Sequence, residues 1–275
     1  MAIRRGVVFP GQGSRGGEVS GEVEEALRRV AGEGETPYQL SVFASSVELF
    51  HRLRERGVEP DVVAGHSLGE YTAAYAAGAL SLEDGMRLVA ERDRLMMAAS
   101  REHPGGMTAL VGAGLREVTE AVAGISAADR VVVVANYNTP RQTVVSGEPE
   151  ALEEVSGTVG GRKFELEVAG AFHSPLMAGA ARGMDELLSQ VELRDPEVPM
   201  VSATDGAVLA KADDVRLALR NQMLSPVRWV AVVERFAELG VEEIVEAGED
   251  GTLVRMLRDF KEVGIEGRKA GELLS

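Results

Sequence analysis

An α/β fold carrying an inserted βαββαβ module is the fold class the sequence predicts, and three observations predict it. The apolar run Val62-Val63-Ala64 passes through Gly65-His66-Ser67-Leu68-Gly69 into the Ala-rich stretch 71–78, the pattern of a strand, a sharp turn and a helix. From residue 106 to residue 168, strand-like and helix-like segments alternate in the order βαββαβ. On both sides of that segment the periodicity is that of longer helices with short strands between them.

In chain order, residues 6–9 read as a short strand, and Pro10-Gly11-Gln12-Gly13-Ser14 is a tight loop because no helix or strand tolerates that run. Residues 18–35 are polar and Glu-rich, a surface helix. From 39 to 56, Leu40, Phe43, Val47, Leu49 and Phe50 recur near helical spacing. After the strand–turn–helix, Ser81-Leu82-Glu83-Asp84 is a helix start with a Ser cap and acids in the first turn, and that helix runs to about residue 99. Strands are then expected at 107–111, 131–135, 142–145 and 164–168, with helices at 115–122 and 149–159. Their order is that of a small ferredoxin-like module set between two parts of a larger domain, the division being 105–171 against 1–104 with 172–275. Helices follow at 174–191, 212–223 and 229–239, with strands at 199–203 and 243–246. The tail 262–275 is polar and is expected to be partly loose.

Composition removes several function classes. The 275 residues, 45% hydrophobic, suffice for a sizeable core. No cysteine is present, which excludes disulfides, thiolate catalysis and Cys-ligated metals. With four histidines, a zinc site is not expected. The formal charge of −15 argues against nucleic acid or an anionic membrane as partner. No apolar run approaches the roughly 18 residues of a membrane span, and Pro10 ends the only N-terminal apolar run, so a cytoplasmic protein is expected.

The turn around Ser67 is a nucleophile elbow: two glycines permit the tight bend, and the following helix aims free N–H groups at whatever sits on the serine. A serine hydroxyl needs a base. His51 lies among Arg52, Arg54 and Arg56 and reads as a solvated surface residue. His66, beside Ser67 on a tight turn, projects away and packs behind the elbow, and His103 sits in a polar loop. His173 follows Gly170-Ala171-Phe172 and precedes the helix-start pair Ser174-Pro175, so it stands at a strand end and a helix mouth as the serine does; it is the candidate base. In the 82–99 helix, Arg92 falls in the apolar stripe of Leu88, Val89, Leu95 and Met96. A buried guanidinium needs an anion, and either a protein carboxylate or a ligand could supply it.

Phe9-Pro10-Gly11-Gln12-Gly13-Ser14, Gly65-His66-Ser67-Leu68-Gly69-Glu70, Arg92, Asn136-Tyr137-Asn138-Thr139-Pro140, Gly170-Ala171-Phe172-His173 and Pro226-Val227-Arg228-Trp229, in that order, resemble the malonyl-CoA:acyl carrier protein transacylase family over nearly the whole chain. The resemblance implies an α/β-hydrolase-like core with the inserted ferredoxin-like subdomain, Ser67 as nucleophile and His173 as its base. It further implies an oxyanion hole of the Gln12 and Leu68 amides, Arg92 on the malonyl carboxylate, and the main-chain carbonyl of Gln222 orienting the histidine in place of an aspartate. Gln39 matches a glutamine of the same pocket. Two departures stand out: the segment between Gly13 and Gln39 is shorter than is usual, and the turn from Glu246 to Gly251 lacks a proline.

The reaction so implied is serine acyl transfer from malonyl-CoA to the phosphopantetheine thiol of an acyl carrier protein, in fatty acid or polyketide synthesis, with no metal or other cofactor and with the enzyme a monomer. A malonyltransferase subunit of a malonate decarboxylase would share every one of these residues. An esterase or thioesterase would share the Ser-His pair, but a buried cation suits an acyl group ending in a carboxylate.

Overall fold

The computed structural model describes residues 4–32, 34–127 and 130–275, and within them the chain folds around two sheets. Up to the inserted segment the elements are β1 (Arg5–Phe9), α1 (Gly21–Ala31), α2 (Tyr38–Glu55), β2 (Val62–Gly65), α3 (Gly69–Ala76) and α4 (Leu82–Glu102). The insert supplies β3 (Gly106–Val111), α5 (Leu115–Ile125), β4 (Val132–Thr139), β5 (Gln142–Gly147), α6 (Pro149–Thr158) and β6 (Arg162–Glu165). The return gives α7 (Ala178–Leu188), β7 (Met200–Val201), β8 (Val208–Leu209), α8 (Ala212–Asn221), α9 (Trp229–Glu238), β9 (Glu243–Glu246), α10 (Thr252–Met256), β10 (Glu266–Lys269) and α11 (Ala270–Leu274).

The larger sheet has the order β10-β9-β1-β2-β7-β8, parallel throughout except for β8. Its strands are apolar on both faces because both faces are covered. Val7, Phe9, Val63 and Val245 point into the core built with α2, α3, α4 and α7, while Val8, Ala64, Val201 and Ile244 point to Trp229, Val232 and Phe236 of α9. The smaller sheet is antiparallel with the order β4-β5-β3-β6, as a ferredoxin-like βαββαβ unit requires. One face, Leu110, Val132, Val134 and Val145, packs on α5 and α6. Met107, Ala109 and Val144 lie on the opposite face and join the main core instead. Strand β4 is tied to the segment before α9, where Tyr137 N donates to Val227 O and Val227 N donates to Ala135 O, both at 2.8 Å.

Three expectations need correction. The last strand of the insert lies at Arg162–Glu165 rather than 164–168, because the ladder with β3 ends there. Leu166 and Val168 are apolar because they line a cavity described below. The tail is not loose: β10 pairs in parallel with β9, Ala270 is buried, and Leu273 and Leu274 pack on the main core. The surface helix expected at 18–35 spans Gly21–Ala31, and residue 33 of that span lies outside the described residues. α4 begins at its expected cap, Ser81 Oγ accepting from Asp84 N at 3.1 Å.

Candidate active site

Between β2 and α3 the backbone turns so sharply that a Cβ on Gly65 would lie 2.0 Å from the Gly69 carbonyl carbon, and one on Gly69 would lie 2.1 Å from Phe9 O. Only glycine fits at either position. Ser67, between them, adopts φ 51°, and His173 adopts φ 58°; among the described residues these two are the non-glycine residues in the left-handed region. Such conformations persist only where the surroundings enforce them.

The two residues meet. Ser67 Oγ lies 2.8 Å from His173 Nε2, and both are buried. His173 Nδ1 faces two carbonyl oxygens, Gln222 O and Ser225 O, each at 3.0 Å. Carbonyls only accept, so Nδ1 carries the hydrogen and Nε2 keeps a lone pair for the serine hydroxyl. Beside the Gln222 carbonyl that the resemblance names, the histidine faces that of Ser225, ending the turn after Gln222, which no local pattern in the sequence signals.

Burial, and then the charge of Arg92, push the His173 pKa down to about 4 from its ordinary 6.5. The unfolded chain thus binds a proton here in a window where the folded chain does not, so this group's stabilisation is present above 6.5 and is lost as pH falls toward 4. Melting wild type and His173→Ala at about pH 7.5 and about pH 5 tests this: the wild type loses more Tm on acidification than the variant does. An equal loss in both proteins would contradict the neutral buried imidazole.

Arg92 enters from α4 and is fully buried. Its Nη1 donates to Gln39 Oε1, and its Nη2 donates to Ser67 Oγ at 3.1 Å and to Gln222 Oε1 at 3.2 Å. Its Nε is buried without a hydrogen-bond partner. Every partner is neutral, and among the described residues no carboxylate forms an ion pair with it. Of the two anions that the sequence left open, no protein carboxylate among the described residues bonds the guanidinium, although the charges of Asp93 and Glu70 act on it without contact. Burial lowers the Arg92 pKa, but a guanidinium keeps its proton in proteins.

A cavity of about 270 Å³ opens over the serine and histidine. Gln12 lines it on one side, and the Met107, Ala109, Asn136 and Val144 face of the smaller sheet lines it on the other. Leu68 follows Ser67 directly, at the N-terminal end of α3. Neither the Gln12 nor the Leu68 amide donates to a protein acceptor among the described residues. His66 does not pack behind the elbow as expected: it is half-buried and lines the cavity, its Nε2 2.9 Å from Asn138 Oδ1 and its ring tilted against Trp229 at 5.6 Å. His51 is not simply solvated: it is half-buried and bonds the Tyr75 hydroxyl at 2.6 Å. Sequence reasoning also passed over Glu70, which is completely buried. Among the described residues no cluster of His, Asp and Glu could hold a metal ion, and no helix is long and apolar enough to cross a membrane.

The acyl transferase domain family matches residues 34–266. The malonyl CoA-acyl carrier protein transacylase of Bacillus subtilis (strain 168) is 31% identical over 243 residues, which cover 86% of this chain and 77% of that protein. This chain belongs to the malonyl-CoA:acyl carrier protein transacylase family. The solved transacylase of Xanthomonas oryzae superposes with a TM-score of 0.89 at 31% identity, over 99% of this chain and 98% of that one. A malonyl-transacylase in complex with its type II polyketide acyl carrier protein superposes with a TM-score of 0.85 at 28% identity, over 97% and 94% of the two chains. As a member of the transacylase family the chain has the mixed α/β fold with a small subdomain that the sequence implied.

Proposed function

We propose that this protein transfers malonyl from malonyl-CoA to the phosphopantetheine thiol of an acyl carrier protein, for fatty acid or polyketide synthesis. The observation that carries this reading is a buried arginine, without a protein carboxylate, donating to the same hydroxyl that the buried histidine contacts. A thioester acyl group ending in a carboxylate meets both needs of that site: an electrophile for Ser67 and an anion for Arg92.

The geometry supports the following roles. His173 Nε2 takes the hydroxyl proton as Ser67 Oγ attacks the thioester carbonyl, and the carbonyl oxygen becomes an oxyanion received by the Gln12 and Leu68 amides. Collapse breaks the carbon–sulfur bond, the proton passes from His173 to the departing CoA sulfur, and an ester on Ser67 remains. The carrier's thiol then gives its proton to His173 and attacks the ester; on collapse the proton returns to Ser67 Oγ. The carbonyls of Gln222 and Ser225 hold the imidazolium that forms in each half-reaction, and Gln39 and Gln222 orient Arg92 on the malonyl carboxylate. In this reading residues 1–104 and 172–275 form the catalytic domain, and 105–171 close the cavity from the other side.

The test is to mix the protein with malonyl-CoA, quench in acid and weigh it intact, then map the modified peptide and repeat with carrier protein added. One malonyl unit on Ser67, discharged by the carrier thiol, is the expected result. No adduct, or an adduct elsewhere, overturns the reading.

A further inference from the structure

Glu70 sits in the first turn of α3, three residues beyond the nucleophile, and touches neither the cavity nor a cation. Its two carboxylate oxygens each face a donor. Oε1 accepts from Ala203 N at 2.9 Å, and Oε2 accepts from Gln222 Nε2 at 2.7 Å. Gln222 is in turn the hub of the site. Its Nε2 also donates to Ser67 O at 2.8 Å, its Oε1 accepts from Arg92 Nη2, and its main-chain oxygen accepts from His173 Nδ1.

The direction of these bonds leaves no freedom. Arg92 can only donate, so it must meet the amide oxygen of Gln222; Ser67 O can only accept, so it must meet the amide nitrogen. The side of Gln222 turned to Glu70 is therefore a donor, and the Ala203 amide at the far end is a donor as well. A residue lying between two donors must accept at both ends, which an ionised carboxylate does and a carboxamide cannot. We propose that Glu70 is a positioning residue whose carboxylate anchors Gln222 to the Ala203 backbone, and through Gln222 fixes Arg92, the Ser67 main chain and the His173 acceptor in their reactive arrangement. The proposal rests on the Ser67–His173–Arg92 reading above.

The protonation state of Glu70 gives the proposal a signature that packing alone would lack. Burial raises its pKa to about 7, with Asp205 adding to the rise, while the Gln222 and Ala203 bonds and the charge of Arg92 oppose it. The phenol of Tyr71, also buried, stays protonated in this range, its own pKa pushed up to about 12. His173 does not titrate until about 4. Above pH 7 the carboxylate accepts at both ends; below it, one oxygen carries a proton and faces a donor. The rate of Ser67 acylation should therefore climb as pH rises through about 7.

The experiment is single-turnover acylation by saturating malonyl-CoA, read by intact mass between about pH 5.5 and 8.5, for wild type and Glu70→Gln. In the wild type the rate rises roughly tenfold through the Glu70 titration, the size expected when one buried hydrogen bond supporting the site is lost. Glu70→Gln stays at the low plateau across the whole range, with no step. A wild-type rate that is flat across this range overturns the proposal without any variant, which covers the case of a substitution that fails to fold. A folded Glu70→Gln that keeps both the wild-type rate and its step overturns it as well. A wild type that is never acylated would instead remove the functional reading itself.

Discussion

With Arg92 replaced by alanine, malonyl transfer should fall by about two to four decades, while transfer of acetyl or another uncharged acyl group holds or rises. The malonyl carboxylate would enter a buried site without the Arg92 guanidinium. Removing one partner of a buried charge pair costs roughly 3 to 5 kcal/mol, and each decade of rate is about 1.4 kcal/mol. An acetyl group carries no carboxylate and makes no use of the guanidinium. Specificity inverts for that reason, and inversion separates the substrate role from a structural one. Loss of a merely structural arginine would lower Tm and reduce both acyl transfers together. Side-by-side malonyl and acetyl rates, with a melting curve on the same preparation, decide between them.

Replacing Ser67 and replacing His173 should give two different kinds of failure. Ser67→Ala removes the atom that becomes acylated, so no malonyl adduct forms at any time of incubation, and the turn still accommodates the smaller side chain. His173→Ala keeps the hydroxyl and the Arg92 contact to it but takes away the proton acceptor. Acylation then continues at a rate lower by about 10² to 10⁴, the usual contribution of a general base. Time courses of adduct mass for the two variants show whether one is silent and the other slow. A persistent adduct in Ser67→Ala, or an unimpaired His173→Ala, would dismantle the assignment.

What could be read in the sequence was what neighbouring residues determine. The elbow is five consecutive residues between a strand and a helix, and its glycines are where the backbone crowds itself. Arg92 stood out because helical spacing alone puts it among buried neighbours, and it is buried. Glu70, although it closes the Gly65–Glu70 run, showed no role for the opposite reason: an acid in the first turn of a helix is ordinary. Its partners lie 133 and 152 residues further along the chain. The tail was misread in the same way, since Glu266–Lys269 becomes a strand only by pairing with β9. The alternation of Phe164, Leu166 and Val168 has a strand's period, yet only the first lies in the ladder.

The left-handed backbone at Ser67 and His173 bears on how such a protein can change over generations. A non-glycine residue held there costs of the order of 1 to 3 kcal/mol, and glycine at the same place would not bear that strain. At these two positions, then, a lineage selected on heat resistance alone and a lineage selected on turnover are pushed toward different amino acids. Much of a small domain's margin of a few kcal/mol is at stake in that choice. Durability in this fold is more safely sought far from the elbow and the histidine turn, where a stabilising replacement leaves the reaction untouched.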